Sequence, residues 1–180
     1  MRDEENIVET VMSEADRKTA QQSRLQSAGL SVHIGDLYSL YPPVSCEPGT
    51  SIRAAVRIMH RSHTGFILIV QDERLLGIFT ERDLLNAVAG EGVDLDATPV
   101  DAVMTAGPEC LGRDYDLVYA INQMSVGGYR HVPILDERGR PVNVISPRNV
   151  VEHLADQFPK EVLNLPPSPQ NTISDALEGA

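Results

Sequence analysis

The sequence LLGIFTERDLL, which spans Leu75–Leu85, recurs in altered form as PVNVISPRNVV over Pro141–Val151. In both stretches an aliphatic run leads to a hydroxyl side chain, then to two spacers and a short polar side chain, and helix-forming residues follow. The corresponding positions are Thr80 with Ser146, Arg82 with Arg148, and Asp83 with Asn149. The pattern predicts, twice, a strand that ends at a hydroxyl and passes directly into a helix.

The repetition covers most of the chain. At an offset of 65 residues the matched pairs include Asp36 with Asp101, Ile52 with Leu117, and Met59 with Met124. The offset becomes 66 after the polar turn QDER, whose counterpart DERGR is one residue longer. Because turns accept insertions and strands do not, a single change of offset inside a turn indicates a duplication.

Each copy predicts the element order β-α-β-β-α. A proline-containing extended piece precedes an amphipathic helix, which is capped near Thr50 or Ser51 in the first copy and near Asp114 or Asp116 in the second. Two aliphatic strands joined by a short polar turn then form an antiparallel hairpin, and a second helix ends the copy. One copy of about 60 residues buries little surface alone. We therefore expect an α/β (α+β) fold in which two repeats pack through their sheets with pseudo-two-fold symmetry.

The chain divides into four segments on this basis. Residues 1–33 form a polar extension that could be helical, and residues 34–99 and 100–158 are the two repeats. Residues 159–180 form a tail whose proline cluster breaks helices.

Composition excludes several classes of function. A net charge of −11 over 180 residues disfavours binding to nucleic acid or to anionic membranes. The longest apolar run, GFILIV, is too short to cross a bilayer, and the N-terminus lacks the features of a signal peptide. Cys46 and Cys110 form neither a CxxC pair nor a disulfide framework. We expect a soluble cytoplasmic protein with two unpaired thiols.

The sequence predicts neither an enzyme nor a metal site. His60 and His63 could share a helix face, but a third ligand is not evident. No Ser/His/Asp or Cys/His set stands at the spacing of a known motif, and the chain has no GxxxxGK phosphate loop.

The two helix starts could bind a nucleotide. Unpaired amides and the helix dipole at Thr80 and Ser146 attract phosphate. Asp83 lies one turn further and could accept from both ribose hydroxyls, whereas Asn149 could accept without the added strength of a charge. The same spacing is close to a capping box, in which these side chains satisfy the amides of their own helix. Capping and ligand contact can coexist, so both interpretations stay open.

Candidate phosphate cations lie mainly in the second copy. Residues 34–158 contain ten Arg and no Lys. Arg130 and His131 immediately precede a strand, and Arg148 stands in the first turn after Ser146, so we predict that these three contact phosphate. The first copy offers the better ribose acid, and the sites should therefore differ in affinity.

The stretches GIFTERDLL, NVISPRNVV and GYRHVPILDERGRPV resemble the CBS domain, a small repeat named after cystathionine β-synthase. Over about residues 34–158 the chain is similar to one CBS pair, or Bateman module. The family's ligand signature is Gly, two apolar residues, Thr or Ser, two spacers, and Asp or Asn. The first copy matches it from Gly77 to Asp83, and the second has Asn143 in place of the glycine.

The resemblance implies that adenosyl compounds bind in clefts between the copies, with adenine at the strand entries. It implies a first ligand site comprising Val44, Ser45, Cys46, His63, Gly65, Phe66, Thr80, Arg82 and Asp83. It implies a second site comprising Pro108, Glu109, Cys110, Tyr129, Arg130, His131, Ser146, Arg148 and Asn149. Two pairs of this family commonly form a flat four-domain disk, which implies a homodimer.

The function predicted from these features is regulatory. We expect an energy-sensing module that binds AMP, ADP or ATP and signals to an effector protein whose identity is open, with no cofactor beyond Mg²⁺ if the ligand is ATP. One alternative is a ligand-independent scaffold, which Asn143 and Asn149 favour. The other is a sensor of a different adenosyl ligand, such as S-adenosylmethionine or NAD(H).

Overall fold

The computed structural model describes Thr19, Ser23 and residues 29–37, 43–89 and 92–158. The predictions for most of residues 1–33 and for the tail at 159–180 lie outside these described residues.

Both repeats have the predicted element order. The first copy contains β1 (Ser45–Cys46), α1 (Ile52–Arg61), β2 (Phe66–Gln71), β3 (Arg74–Thr80) and α2 (Glu81–Ala89). A short strand, β4 (Thr105–Ala106), follows. The second copy contains β5 (Leu111–Gly112), α3 (Leu117–Gly127), β6 (Val132–Leu135), β7 (Pro141–Ile145) and α4 (Pro147–Gln157). Turns of 3-10 helix at Ile34–Asp36 and Val100–Ala102 open the two copies.

The hairpins form two small sheets. In the described part of the chain one sheet has the order β1-β2-β3-β4 and the other the order β5-β6-β7. Each hairpin is antiparallel, and the short strand that opens each copy pairs in parallel with its first strand. The register shifts once in each hairpin, after Ile69 and after Ile134, which are matching positions of the repeat. The mixed α+β fold is thus confirmed, and even its bulges are duplicated.

Local chemistry explains where the helices begin and end. The hydroxyl of Ser51, one of the two caps predicted for α1, accepts from the amide of Ala54 at 3.3 Å. Asp116, one of the two caps predicted for α3, stands at the N-cap but makes no side-chain cap, because its carboxylate pairs with His33 at 3.0 Å. The helix α3 ends at Gly128, whose φ of 68° is a left-handed conformation that glycine adopts without strain.

The opening segment of each copy packs against the other copy. Ile34 and Leu37 join the buried core built by α3, β6 and β7, while Val100 joins the core built by α1, β2 and β3. Backbone hydrogen bonds stabilise this exchange of opening segments in both directions. They run from Ile34 N to Tyr115 O at 2.9 Å and from Val100 N to Thr50 O at 2.7 Å. Each copy is therefore a repeat in sequence, but its buried core includes residues from the other copy.

The two sheets also meet directly. Leu68 and Ile78 of the first sheet and Val144 of the second form a buried cluster between them. In the first sheet β4 and Met104 lie very close to Gly77 of β3. A Cβ at position 77 would collide with Met104 Sδ and would lie 2.9 Å from the carbonyl oxygen of Thr105 on β4. Within the described residues no helix is long and apolar enough to cross a membrane.

Candidate functional site

Two cavities lie between the copies. The first, cavity A, has a volume of about 300 Å³, and the second, cavity B, a volume of about 760 Å³. Cavity A is lined by Gly65, Ile78, Thr80, Glu81, Arg82, Asp83, Thr105, Gly107, Pro108, Glu109, Tyr129, Arg130 and His131. Cavity B is lined by Val44, Ser62, His63, Thr64, Gly65, Phe66, Glu81, Arg130, His131, Val144, Ser146, Pro147, Arg148 and Asn149.

Each cavity combines the helix start of one copy with the strand entry of the other. Cavity A joins Thr80 and Asp83 of the first copy to Glu109 of the second, and cavity B joins Ser146 of the second copy to Val44 of the first. This grouping differs from the predicted one, which collected each site from a single copy. The reason is the exchange of opening segments, which sets the end of β3 beside the segment that follows β4.

Three predicted residues line neither cavity. Ser45 lines a third cavity of about 250 Å³ beside Glu73 and Arg140, near the hairpin turns. Cys46 packs against the core of the first copy, and Cys110 donates from Sγ to the carbonyl oxygen of Pro108 at 3.1 Å. Burial raises the pKa of both thiols. Of the predicted strand-entry residues, Val44, Pro108 and Glu109 line a cavity wall.

The start of α2 positions Asp83 at the wall of cavity A. Its Oδ2 accepts from the amide of Thr80 at 2.8 Å and from the hydroxyl of Thr80 at 2.7 Å. The capping contacts weighed from the sequence are therefore present. They use one carboxylate oxygen, so Oδ1 of this half-buried side chain is left to accept from a ligand.

The start of α4 repeats the same cap with an amide. Oδ1 of Asn149 accepts from the amide and from the hydroxyl of Ser146, each at 2.8 Å. Asn149 is only 2% exposed. Its acceptor oxygen is engaged twice by Ser146, so Asn149 offers a ligand in cavity B no acceptor equivalent to Oδ1 of Asp83. The two helix starts thus share a cap and differ in chemistry.

A common wall separates the cavities. Gly65, Glu81, Arg130 and His131 line both of them, although the sequence assigned the last two to one site. The carboxylate of Glu81 lies directly against Gly65, where an added Cβ would be 3.0 Å from Cδ of Glu81. Any larger residue at position 65 would displace this carboxylate from the wall.

His131 is not a cation at neutral pH. Burial, together with the neighbouring charge of Arg130, lowers the pKa of His131 to about 4. Its ring contacts the ring of Phe66 at a centroid distance of 4.9 Å. The predicted phosphate contact by His131 would therefore be made by a neutral imidazole N–H.

The arginines near the helix starts have protein partners. Arg82 donates from Nη1 to the carbonyl oxygen of Gly128 at 2.8 Å, which ties α2 to the end of α3. Arg148 donates from Nε to Oε1 of Glu152 at 2.7 Å along α4. Both guanidinium groups remain part of a cavity wall.

The predicted pair Glu109 and Tyr129 meets at the wall of cavity A. The hydroxyl of Tyr129 donates to Oε2 of Glu109 at 2.6 Å. Burial and this carboxylate raise the pKa of Tyr129 to about 12, so the phenol stays protonated. Among the described residues no cluster of three His, Cys, Asp or Glu side chains could hold a metal ion.

Several lining residues were not predicted. They are Ile78, Glu81, Thr105 and Gly107 in cavity A, and Ser62, Thr64, Val144 and Pro147 in cavity B, with Glu81 shared. Glu81 directly follows Thr80 and was visible in the repeated motif as a spacer. Thr105 and Gly107 carry no signal of their own, because only the pairing of β4 with β3 brings them to the site.

Residues 34–90 and 100–156 each match the sequence model of the family described as CBS domain. Among solved structures, a CBS-domain containing protein from Agrobacterium tumefaciens is 32% identical, with a TM-score of 0.62 over 67% of this chain and 98% of that one. A CBS domain protein from Pyrobaculum aerophilum, complexed with AMP, is 25% identical, with a TM-score of 0.61 over 69% of this chain and 99% of that one.

The curated relatives match over part of their length. A 17.7 kDa protein from Acidianus ambivalens is 28% identical over 111 residues, which cover 61% of this chain and 66% of that protein. The other first matches are longer proteins, and the aligned region covers 18% of a CBS domain-containing protein from Arabidopsis thaliana. The chain therefore spans only part of the length of these relatives.

Proposed function

Because this chain belongs to the CBS-domain family, we propose that it is a regulatory module that binds adenosyl nucleotides in cavities A and B and passes their occupancy to a partner protein. The observation that carries the proposal is the placement of a repeated helix start at the wall of each cavity, with Asp83 Oδ1 left as an acceptor in cavity A. The AMP complex of the Pyrobaculum aerophilum protein supports the choice of ligand class.

The cavities suit an adenosyl group in size and lining. Ligand pockets in proteins commonly enclose about 300–1,000 Å³ and combine an apolar wall with a few placed polar groups. Cavity B has such a wall at Val44, Phe66 and Val144, and cavity A has one at Ile78 and Pro108. We assign adenine to these apolar walls and the ribose to the helix starts.

The helix starts supply the polar contacts. A ribose hydroxyl can donate to Oδ1 of Asp83 in cavity A. A phosphate would lie between the start of α4 and the guanidinium groups of Arg130 and Arg148. Mg²⁺ would accompany the ligand only if that ligand is ATP.

Isothermal titration calorimetry tests the proposal. AMP, ADP, ATP and S-adenosylmethionine are titrated into the full chain and into its Asp83→Ala variant. Asp156→Ala, which removes an exposed carboxylate from the last turn of α4, is the matched control. Adenosyl binding that is weakened by Asp83→Ala and unchanged by the control supports the proposal. The absence of binding by every compound contradicts it.

Self-association is part of the proposal. Large apolar side chains are exposed on three helices, including Leu85 of α2 at 68%, Val126 of α3 at 80% and Val151 of α4 at 64%. A second copy that covered these faces would bury them, in keeping with the disk implied by the family. Light scattering over a dilution series measures the equilibrium, and a strict monomer at tens of micromolar would argue against a dimer.

A ligand-independent scaffold is the second candidate function. The caps at Thr80 and Ser146 are complete without a ligand, which is what a structural role requires. Mass spectrometry of small molecules that co-purify with the chain separates the two functions. We further propose that the chain is cytoplasmic and catalyses no reaction, and product analysis after long incubation with nucleotides tests the second point.

A further inference from the structure

Cavities A and B carry opposite balances of charge on their walls. Five charged side chains line cavity A and give it a net formal charge of −1. The three carboxylates are those of Glu81, Asp83 and Glu109, and the two guanidinium groups are those of Arg82 and Arg130. The carboxylate of Glu81 and the guanidinium groups of Arg130 and Arg148 line cavity B, which gives a net formal charge of +1. His131 lines both cavities and is neutral at pH 7, because its pKa is lowered to about 4 by burial and by Arg130.

The helix starts reinforce this contrast. The first turn of α2 carries two acidic residues, Glu81 and Asp83, whereas the first turn of α4 carries none. A helix start attracts anions through its unpaired amides and its dipole, and carboxylates in the first turn already satisfy that attraction. The start of α4 keeps its positive character because its cap is the neutral Asn149. An added anion therefore gains more at cavity B than at cavity A.

The side chains of cavity A are held in place by specific contacts. The carboxylate of Glu109 is fixed by the Tyr129 hydroxyl at 2.6 Å. The guanidinium of Arg82 is directed to the carbonyl oxygen of Gly128 at 2.8 Å. In cavity B, Glu152 offsets part of the charge of Arg148 at 2.7 Å, which leaves Arg130 and the start of α4 as the main attraction for an anion.

We propose that cavity A selects an adenosyl ligand whose 5′ substituent is uncharged or positively charged, whereas cavity B selects one whose 5′ substituent is a phosphate. The inference rests on the proposed function, since both selections act on an adenosyl group. Glu109 is the residue that determines the preference of cavity A, because Glu81 faces both cavities and Asp83 also serves the helix cap. The chain would then report two classes of ligand at once.

Methyl NMR can follow the cavities separately in the full chain. Ile78 lines cavity A and Val144 lines cavity B, so the methyl groups of these two residues report the two sites within one titration. The probes are adenosine, 5′-amino-5′-deoxyadenosine and AMP at constant ionic strength. The Ile78 methyl should saturate at lower concentrations of the first two probes than of AMP. The Val144 methyls should saturate at lower concentrations of AMP than of either neutral or cationic probe.

Glu109→Gln tests the assignment, because the amide oxygen of Gln can still accept from the Tyr129 hydroxyl. Removal of one unit charge several ångströms from a phosphate should strengthen AMP binding at Ile78 by roughly fivefold relative to adenosine binding at the same site. The Val144 titrations should not change. Glu137→Gln, which makes the same charge change in the exposed turn between β6 and β7, is the control and should alter neither cavity.

The outcomes distinguish the two levels of the proposal. If AMP binds at Ile78 as tightly as adenosine, or if Glu109→Gln leaves AMP binding there unchanged, the charge selection is wrong although adenosyl binding stands. If no probe shifts either methyl group, the proposed adenosyl function fails and the selection fails with it.

Discussion

Replacement of Asp83 by Asn separates the capping role of this side chain from its proposed ligand role. The second copy already carries Asn at the matching position, where Oδ1 of Asn149 accepts from the amide and hydroxyl of Ser146 at 2.8 Å each. Oδ2 of Asp83 accepts from the same groups of Thr80 at 2.8 and 2.7 Å. Asn at position 83 can therefore keep both cap contacts, while the negative charge and the second acceptor oxygen are lost.

The structure sets different magnitudes for stability and for binding. Asp83→Asn should lower the free energy of unfolding by no more than about 1 kcal/mol, the value of a charge at a helix start. Asp83→Ala also removes two hydrogen bonds and should cost roughly 1–3 kcal/mol in total. In binding, loss of a charged partner for the ribose costs about 1.5–3 kcal/mol, so both variants should bind about ten- to a hundredfold more weakly.

Urea denaturation and calorimetric titration with adenosine measure the two quantities on the same samples. Asp156→Asn, an exposed position on α4, controls for the general change in charge. If Asp83→Asn binds as tightly as the wild type and only Asp83→Ala is impaired, in proportion to its lost stability, then Asp83 is a cap and the ribose assignment is wrong.

Three further changes test the fold and its electrostatics. Burial and the charge of Arg130 lower the pKa of His131 from its ordinary 6.5 to about 4 in the folded chain, so the free energy of unfolding is fully retained above pH 6.5. It should fall by up to about 3 kcal/mol as the pH drops to about 4; urea midpoints for His131→Gln should lack this part of the slope. Gly77→Ala should cost about 1–3 kcal/mol, because the methyl group meets Met104 and β4; an unchanged urea midpoint would contradict the close approach. Leu68→Ala should cost about 2–5 kcal/mol by opening a cavity between the sheets; a loss below about 1 kcal/mol would show that the sheets do not share a core.

The fold could be predicted because each local sequence signal occurs twice, once in each repeat. The hydroxyl before α2 and the hydroxyl before α4 both stand at a strand-to-helix junction, as the pattern at Thr80 and Ser146 indicated. The turn that absorbs the change of offset is the turn of a hairpin in each copy. Hydrophobic periodicity and turn residues determine structure over a few residues, so these signals can be recognised in a single sequence.

The exchange of opening segments could not be predicted from the same signals. Ile34 and Val100 have a similar sequence context, since Ile34 lies two residues before Asp36 and Val100 lies directly before Asp101, the match of Asp36 at an offset of 65. Nothing local indicates that Ile34 packs with the second copy and Val100 with the first. The choice depends on long-range hydrogen bonds, such as Gly35 N to Arg113 O at 2.8 Å, and on which core has room for the side chain. This is why the sequence prediction grouped the candidate residues by copy.

The regrouping changes how divergence between the copies affects function. Taken copy by copy, the first holds the acid Asp83 and the second holds the cation Arg130, which suggests one acidic and one basic site. In the structure Arg130 lies in the wall shared by both cavities, and so does Glu81 of the first copy. The contrast between cavities therefore comes from groups that are not shared, chiefly Glu109 in cavity A and, in cavity B, the start of α4 with the partly offset charge of Arg148. Both belong to the second copy, so substitutions in that copy alone can set the ligand preference of each cavity.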